Sequence, residues 1–216
     1  MEAVKTIAEL QEQLVVEARR GAGTDILRVV AESGALLKGH FSLQSGQHSQ
    51  YFIRFAQIGR NREAIATVAN ALLDELSGTA FDVVLCPESS GYFLGQAIAA
   101  RTEKKCAISA INTLRQPTPA LRRGTIAPDA RVLIVNDVVT TGASLEPLLD
   151  LARNAGARIA GIATFASLRP QQFSRFRSER ELPGAHLVSA SWNTYAQSDC
   201  PICRTRENLI PAAEFN

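Results

Sequence analysis

Short apolar runs alternate with stretches of helical periodicity along most of the chain. Unbroken apolar runs are typical of strands that are buried on both faces of a parallel sheet. Such strands are predicted over residues 81–86, 106–111, 132–135 and 158–167. Apolar residues recur with helical spacing over residues 62–76, 91–101 and 145–154. This alternation predicts the α/β class, with a doubly wound parallel sheet and right-handed crossovers.

The N-terminal quarter of the chain follows a different pattern. Residues 1–20 have the spacing of an amphipathic helix, and glycines follow at 21 and 23. Residues 1–23 are therefore predicted to be an N-terminal helical extension, with residues 24–216 as a single domain. A second helix is predicted over residues 26–33, with Thr24 or Asp25 as its cap.

Two short strands are predicted next, over residues 41–46 and 51–55, around a glycine-containing turn. We expect residues 36–58 to form a small hood on the parallel sheet. Asn61 is placed to cap the helix that follows.

The remaining segments have weaker signals. Residues 113–129 contain prolines and arginines without a clear period, which predicts a long loop of the kind that often serves as a lid. Residues 173–183 are charged and irregular, and residues 186–192 alternate weakly, as an edge strand does. Gly156 is placed to end the helix over residues 145–154.

Composition narrows the class of protein. The 216 residues carry a net charge of +2, which is too small to indicate a nucleic-acid surface. No apolar run approaches the roughly 20 residues of a membrane helix. The N-terminus lacks the basic and apolar regions of a signal peptide, so a cytoplasmic location is expected.

The strongest candidate site is the stretch of residues 131–144. Four apolar residues, Val132 to Val135, precede Asn136 and Asp137, and the small hydroxyl-rich run of residues 140–144 leads into a predicted helix. Free N–H groups, hydroxyls and a helix dipole converge there, which favours an anion. A carboxylate before the loop can hold a sugar hydroxyl. The pattern predicts a phosphorylated sugar at the carboxyl edge of the sheet.

This stretch resembles the signature of type I phosphoribosyltransferases that binds 5-phosphoribosyl 1-pyrophosphate (PRPP). That signature has four apolar residues, two acidic residues, two apolar residues and Thr-Thr-Gly; Asn136 stands here for the first acid. Residues 39–49, the tail Cys200-Pro-Ile-Cys203 and residues 121–124 resemble segments of the orotate phosphoribosyltransferases. The resemblance runs from about Leu27 to Cys203.

The resemblance implies an enzyme that joins orotate to PRPP and releases pyrophosphate, with Mg²⁺ bridging the pyrophosphate oxygens through few protein ligands. It implies a homodimer and small-molecule substrates. The small net charge and the lack of a membrane-length apolar run indicate no nucleic-acid or membrane partner. Asp137 and Arg115 are the expected catalytic residues. The residues expected to bind PRPP are Asn136, Asp137, Thr140, Thr141, Gly142, Ala143 and Ser144. Those expected to bind pyrophosphate are Glu88, Ser89, Ser90, Gly91, Arg122 and Arg123. Those expected to bind the base are Gln44, Ser45, Gly46, His48 and Phe52.

Several positions depart from the family pattern. Asn136 removes one acid, Ser90 stands where glycine is usual, Gln44 stands where some relatives have lysine, and residues 112–115 lack the loop lysine. Two alternatives therefore stay open: a non-catalytic sensor of PRPP or a nucleotide on the same fold, and a phosphoribosyltransferase for another base.

The cysteines form no evident metal set. Cys200 and Cys203 have the spacing of a metal knuckle, but a structural zinc needs two more ligands. The sequence shows no second such pair and no paired histidines, so a reversible disulfide or plain packing is favoured over zinc. We expect no metal ion bound by protein side chains alone. Cys86 and Cys106 are expected in the core.

Overall fold

A computed structural model of the chain describes residues 1–18, 22–43, 45–89, 91–205 and 207–212. The helices are α1 (Ile7–Gln13), α2 (Ala22–Ser33), α3 (Phe55–Arg60), α4 (Arg62–Glu75), α5 (Gly91–Thr102), α6 (Glu146–Asn154) and α7 (Pro170–Ser178). The strands are β1 (Glu2–Ala3), β2 (Leu14–Val16), β3 (Leu36–Ser42), β4 (His48–Ile53), β5 (Val83–Pro87), β6 (Lys105–Ile111), β7 (Pro117–Arg123), β8 (Arg131–Val139), β9 (Arg158–Ser167), β10 (Gly184–Ala190), β11 (Thr194–Tyr195) and β12 (Leu209–Pro211).

The main sheet has a parallel centre and antiparallel edges. Within the described residues it has the strand order β2-β10-β9-β8-β5-β6-β7. Strands β10, β9, β8, β5 and β6 run parallel, and β2 and β7 pair antiparallel at the two edges. The predicted α/β parallel sheet is confirmed, and the antiparallel edges are an addition to it.

Helices cover both faces of this sheet because its strands alternate their side chains between two cores. Val84 and Cys86 of β5 pack on the face with α2, α4 and α5, while Val83 and Leu85 pack on the face with α6 and α7. This period of two explains the unbroken apolar runs, since both faces of each central strand are buried.

The hood is a second sheet drawn from three parts of the chain. The antiparallel hairpin β3–β4 forms its centre, β1 and β12 pair with β3, and β11 pairs with β4. The predicted hairpin is confirmed, although its strands lie several residues earlier than expected. Both chain ends therefore contribute to a hood that the sequence assigned to residues 36–58.

The predicted helix over residues 1–20 is wrong. Among the described residues 1–18, the helix is limited to Ile7–Gln13, and Leu14 is already extended. The β-branched Val15 and Val16 favour a strand, and β2 pairs with β10. Strand β10, which the sequence predicts at the edge of the sheet, therefore has β2 as its outer neighbour. Helix α2 starts at Ala22, so neither Thr24 nor Asp25 caps it.

Two segments predicted to be irregular are ordered. Residues 113–129 contain strand β7, which pairs antiparallel with β6. Pro117 and Pro119 favoured a loop in the sequence, but prolines are tolerated on an edge strand such as β7. Residues 173–183 overlap helix α7, whose Pro170 occupies the first turn and whose Phe173 and Phe176 are buried.

Other local predictions hold. Asn61 caps α4, with its Oδ1 accepting from the backbone N–H groups of Glu63 and Ala64. Strand β9 has the predicted bounds, and Gly156 lies beyond α6 at a φ of 71°. Across the described ranges, no helix is long and apolar enough to cross a membrane.

The amino end of β8 is anchored to β5 by an ion pair. Arg131 donates from Nε to Asp82 Oδ2 at 2.9 Å and from Nη2 to Asp82 Oδ1 at 2.6 Å. These hydrogen bonds hold the pKa of the Asp82 carboxyl well below its ordinary value. Both side chains are substantially exposed, so the pair contributes little stability.

Candidate functional site

A row of adjoining cavities follows the carboxyl edge of the parallel strands. An arginine cavity of about 650 Å³ lies beyond β5, a central cavity of about 140 Å³ lies beyond β8, and a loop cavity of about 380 Å³ lies over the turn after β8. The arginine and central cavities share Ser89 and Arg115. The central and loop cavities share Ser45, Pro117, Val138, Thr140 and Ser144. The three cavities therefore lie side by side along this edge.

The loop cavity is formed by the turn after β8. Its lining includes Thr140, Thr141, Gly142, Ala143 and Ser144. Gly142 has a φ of 95°, and its carbonyl accepts from the Leu145 N–H at 2.8 Å. A Cβ at Gly142 would lie 2.7 Å from the Phe176 ring. The turn thus needs glycine for its backbone conformation and for the close approach of α7.

The polar pair of the signature belongs to β8 itself. The strand predicted over residues 132–135 continues to Val139, because its pairing with β9 extends through Val138 and Val139. Asn136 and Asp137 both line the central cavity. Asn136 is 5% exposed, and within the described chain its Oδ1 has no hydrogen-bond partner. This oxygen is almost fully enclosed by protein atoms and faces the start of α5 at Gly91.

The arginine cavity is positively charged. Among its described lining residues are one carboxylate, Glu88, and four guanidinium groups, those of Arg60, Arg115, Arg122 and Arg123. Glu88 lies 3.5 Å from Arg122 Nε, in an exposed pair that neutralises only one of these charges. The remaining charge and the fork geometry of arginine suit a polyanion such as a pyrophosphate.

Arg115 lies at the tip of the β6–β7 hairpin and reaches both the arginine and the central cavity. The tip is a tight turn in which Asn112 Oδ1 accepts from the N–H groups of Leu114 and Gln116 at 2.9 Å. Arg115 itself has a φ of 59°, which a non-glycine residue rarely adopts. The segment predicted as a loose lid is thus a structured hairpin that points an arginine into the site.

The helix after β5 begins against the polar pair. Ser89 lines both the arginine and the central cavity, and a Cβ at Gly91 would lie 2.6 Å from Asn136 Oδ1. Gly91 does not line the row of cavities; glycine at this position lets α5 start close to β8. Ser90 lies outside the described residues.

The hood supplies the apolar wall of the central cavity. Ser45 and Phe52 line it, as expected for the base site. Gly46, with a φ of 75°, forms the hairpin turn beside them but does not line the cavity. Gln44 lies outside the described residues. Leu43, Ile53, Leu168 and Ala212 complete the wall.

The placement of His48 in the base site is wrong. Its side chain is 3% exposed, does not line the central cavity and packs against His40, with ring centroids 4.9 Å apart. The prediction that the chain has no paired histidines is wrong as well. His40 and His48 lie on facing strands of the hairpin and meet the tail cysteines.

Sequence reasoning missed several lining residues. Arg60, Tyr92 and Phe93 line the arginine cavity from α3 and α5, and Ala212 lies close to the chain end. Arg60 ends a short helix and carries no motif, so only the fold brings it to the site. Ala212 arrives because β12 pairs with β3, a contact for which the sequence has no local signal.

Cys86 and Cys106 form a separate thiol pair in the core. Their sulfurs are 3.7 Å apart, too far for a disulfide bond. The hydrogen bond between them, together with burial, raises the pKa of Cys86, and the same hydrogen bond lowers the pKa of Cys106. The pair lines none of the cavities described above.

The chain is similar in sequence to proteins of a known family. Residues 55–179 match the model of the phosphoribosyl transferase domain. The chain is 31% identical over 193 residues to an orotate phosphoribosyltransferase of Chlorobium phaeobacteroides (strain BS1), a match that covers 85% of this chain and 91% of the relative.

Solved structures share the fold. The chain superposes on an orotate phosphoribosyltransferase from Aeropyrum pernix with a TM-score of 0.62 and 20% identity, covering 76% of this chain and 92% of that one. The TM-score is 0.69, at 19% identity, for the UMP synthase of Leishmania donovani, with 78% of this chain covered. This chain covers 36% of that much longer protein. At these identities the likeness bears on the fold alone.

Proposed function

Because the chain belongs to the phosphoribosyltransferase family and has orotate phosphoribosyltransferases among its relatives, we propose that it transfers the phosphoribosyl group of PRPP to orotate. One observation carries the proposal beyond family membership. The loop, central and arginine cavities adjoin one another through shared lining residues, in the order that the 5′-phosphate, ribose and pyrophosphate of PRPP require.

Different groups of residues bind the different parts of PRPP and the base. Residues 140–144 bind the 5′-phosphate through N–H groups and hydroxyls. Asp137 accepts hydrogen bonds from the ribose hydroxyls, and Asn136 forms part of the same cavity wall. Arg115, Arg122 and Arg123 bind the pyrophosphate with Ser89 and Glu88 at the same wall. Ser45 and Phe52 bind the base from the hood.

In the reaction, the bond from ribose C1′ to the pyrophosphate oxygen breaks and its electron pair leaves with pyrophosphate. A ring nitrogen of orotate forms the new bond to C1′, and its proton passes to the departing pyrophosphate or to water. Positive charge develops on the ribosyl group as the first bond breaks. The chain orients the two reactants and places the Asp137 carboxylate near the developing charge, while the arginines hold the leaving group.

The site also fits Mg²⁺. This hard cation binds oxygen and keeps several waters, so one or two protein oxygens plus substrate oxygens suffice. Asp137 would supply a carboxylate oxygen from the wall of the central cavity. When bound, Mg²⁺ would neutralise charge on the pyrophosphate and so assist its departure.

The activity assay separates the proposed function from its alternatives. Purified protein with PRPP and Mg²⁺ is expected to consume orotate and release pyrophosphate in equal amounts, and to leave adenine, hypoxanthine and uracil unused. Orotate is followed by its absorbance, and pyrophosphate by a coupled assay. Turnover of another base with orotate untouched would move the proposal to that base.

A second candidate is a non-catalytic sensor of PRPP or a nucleotide. Asn136 favours it, because the site keeps the means to hold a ribose but has one acid fewer. Calorimetry that detects PRPP binding by protein with no turnover of any base would support the sensor. Measurable turnover of orotate would exclude it.

We also propose that the chain forms a homodimer. The exposed tip of the β6–β7 hairpin, where Leu114 is 67% exposed, offers an apolar side chain beside the site to a second copy. Sedimentation equilibrium is expected to give twice the 23.3 kDa mass of one chain. A single-chain mass at micromolar concentration would contradict this.

A further inference from the structure

Two histidines of the hood and the two tail cysteines meet at one point. His48 pairs with Ser42 across the hairpin, and the ring of His40 lies against that of His48 on one side of the sheet, with centroids 4.9 Å apart. The tail brings Cys200 and Cys203 onto that side. Within the part of the chain that is described, one ligand atom from each of these four residues lies within 4.8 Å of the others.

Four of the six distances between ligand atoms are close to those of a tetrahedral metal site. With Zn–S bonds of about 2.3 Å and Zn–N bonds of about 2.0–2.1 Å, tetrahedral angles place sulfur and nitrogen ligands about 3.6 Å apart and two nitrogens about 3.3 Å apart. Here Cys200 Sγ and Cys203 Sγ each lie 3.6 Å from His40 Nε2. Cys203 Sγ lies 3.2 Å from His48 Nδ1, and the two nitrogens are 3.0 Å apart.

The outer contact of His40 supports metal binding. Its Nδ1 lies 3.2 Å from the backbone carbonyl oxygen of Glu207. A carbonyl only accepts, so Nδ1 carries the hydrogen and the lone pair of Nε2 points into the cluster. Metal-bound histidines generally have such a partner on the other ring nitrogen, because it fixes the tautomer and the orientation of the ring.

We propose that His40, His48, Cys200 and Cys203 bind a structural zinc ion. Four protein ligands close the coordination sphere, as in structural rather than catalytic zinc sites. Two thiolates would neutralise the Zn²⁺ charge, which suits a site where His40, His48 and Cys200 are at most 3% exposed.

Simpler arrangements explain only part of the geometry. A hydrogen bond between the two imidazoles accounts for their 3.0 Å approach but not for the convergence of two sulfurs on the same point. A disulfide between Cys200 and Cys203 would occupy both sulfurs and would leave the approach of the two histidine nitrogens unexplained.

The zinc would join the hairpin to the tail beside the base site. The tail continues into β12, which pairs with β3, and on to Ala212 in the wall of the central cavity. Ser45 of the hairpin turn lies in the same wall. The ion would therefore hold together two segments that line the cavity from opposite ends of the sequence.

Elemental analysis tests the proposal on the full chain, purified without added metal. The wild type is expected to contain about one zinc per chain, and Cys203→Ser to contain less than about a tenth of that. Cys203 is exposed, so its substitution should leave the hood folded. Cys106→Ser is the matched control, because it removes a thiol of the core pair and should keep the zinc.

A spectroscopic measurement covers the case in which Cys203→Ser fails to fold. Wild-type protein stripped with a chelator and loaded with Co²⁺ should show the absorption of a tetrahedral, thiolate-ligated ion. Absence of zinc and of this absorption in reduced wild-type protein would overturn the proposal. So would zinc that persists in folded Cys203→Ser, or tail thiols that resist alkylation until a reductant is added.

Discussion

Replacing Gly142 by Val is expected to weaken PRPP binding by at least about 100-fold, which corresponds to about 2.7 kcal/mol. Gly142 has a φ of 95°, a conformation that costs a residue with a Cβ about 1–2 kcal/mol. The new Cβ would also lie 2.7 Å from the Phe176 ring, so the turn or α7 must move. Either shift displaces the N–H groups that would bind the 5′-phosphate. Calorimetry with PRPP measures the loss.

Gly78→Val is the matched control for this substitution. Gly78 has a similar φ of 89°, no described atom would lie within 4 Å of a Cβ added there, and it lines none of the three cavities. The variant should lose some thermal stability and keep its affinity for PRPP. Unchanged PRPP affinity in a folded Gly142→Val protein would show that the turn after β8 does not bind the 5′-phosphate.

The features predicted correctly from the sequence are those with local causes. The central strands alternate between two cores, and this leaves unbroken apolar runs that are visible without the fold. Asn61 caps α4 through atoms two and three residues away. The loop after β8 is contiguous, so its turn geometry and its lining residues could be predicted together.

The features that were missed depend on partners far along the chain. Strand β7 carries prolines that look like a loop, and only its position at the sheet edge makes them acceptable. His40 and Cys200 are 160 residues apart, so no spacing rule joins them. Strand β8 extends beyond its apolar run because its pairing with β9 continues through Val139. This pairing places Asn136 and Asp137 inside the strand.

Replacing Asp137 by Asn is expected to lower the turnover of orotate by about 100-fold or more, with a smaller change in PRPP binding. The amide keeps the size of the side chain and can still bond a ribose hydroxyl, so binding is largely retained. It loses the negative charge, whose effect grows as positive charge develops on the ribosyl group. An interaction that strengthens in the transition state affects kcat more than KM.

Asp82→Asn is the control for the loss of charge. Asp82 neighbours the opposite end of β8, where it pairs with Arg131, and its substitution should leave kcat within about two-fold of the wild type. Equal loss of turnover in Asp82→Asn and Asp137→Asn would show that the loss comes from the change in net charge or from altered folding, and not from a local role of the Asp137 carboxylate. A normal kcat in Asp137→Asn would exclude a catalytic role for that carboxylate.

Asn136→Asp examines the same electrostatics in the opposite direction. It restores the second acid of the family signature at a position that is only 5% exposed. Burial disfavours the charged form, so the gain in turnover should be smaller than the loss in Asp137→Asn, and below about ten-fold. Gly91 packs against this side chain, so a modest loss of thermal stability should accompany the gain. A measurable turnover that stays unchanged in folded Asn136→Asp would show that one acid, Asp137, suffices in this chain.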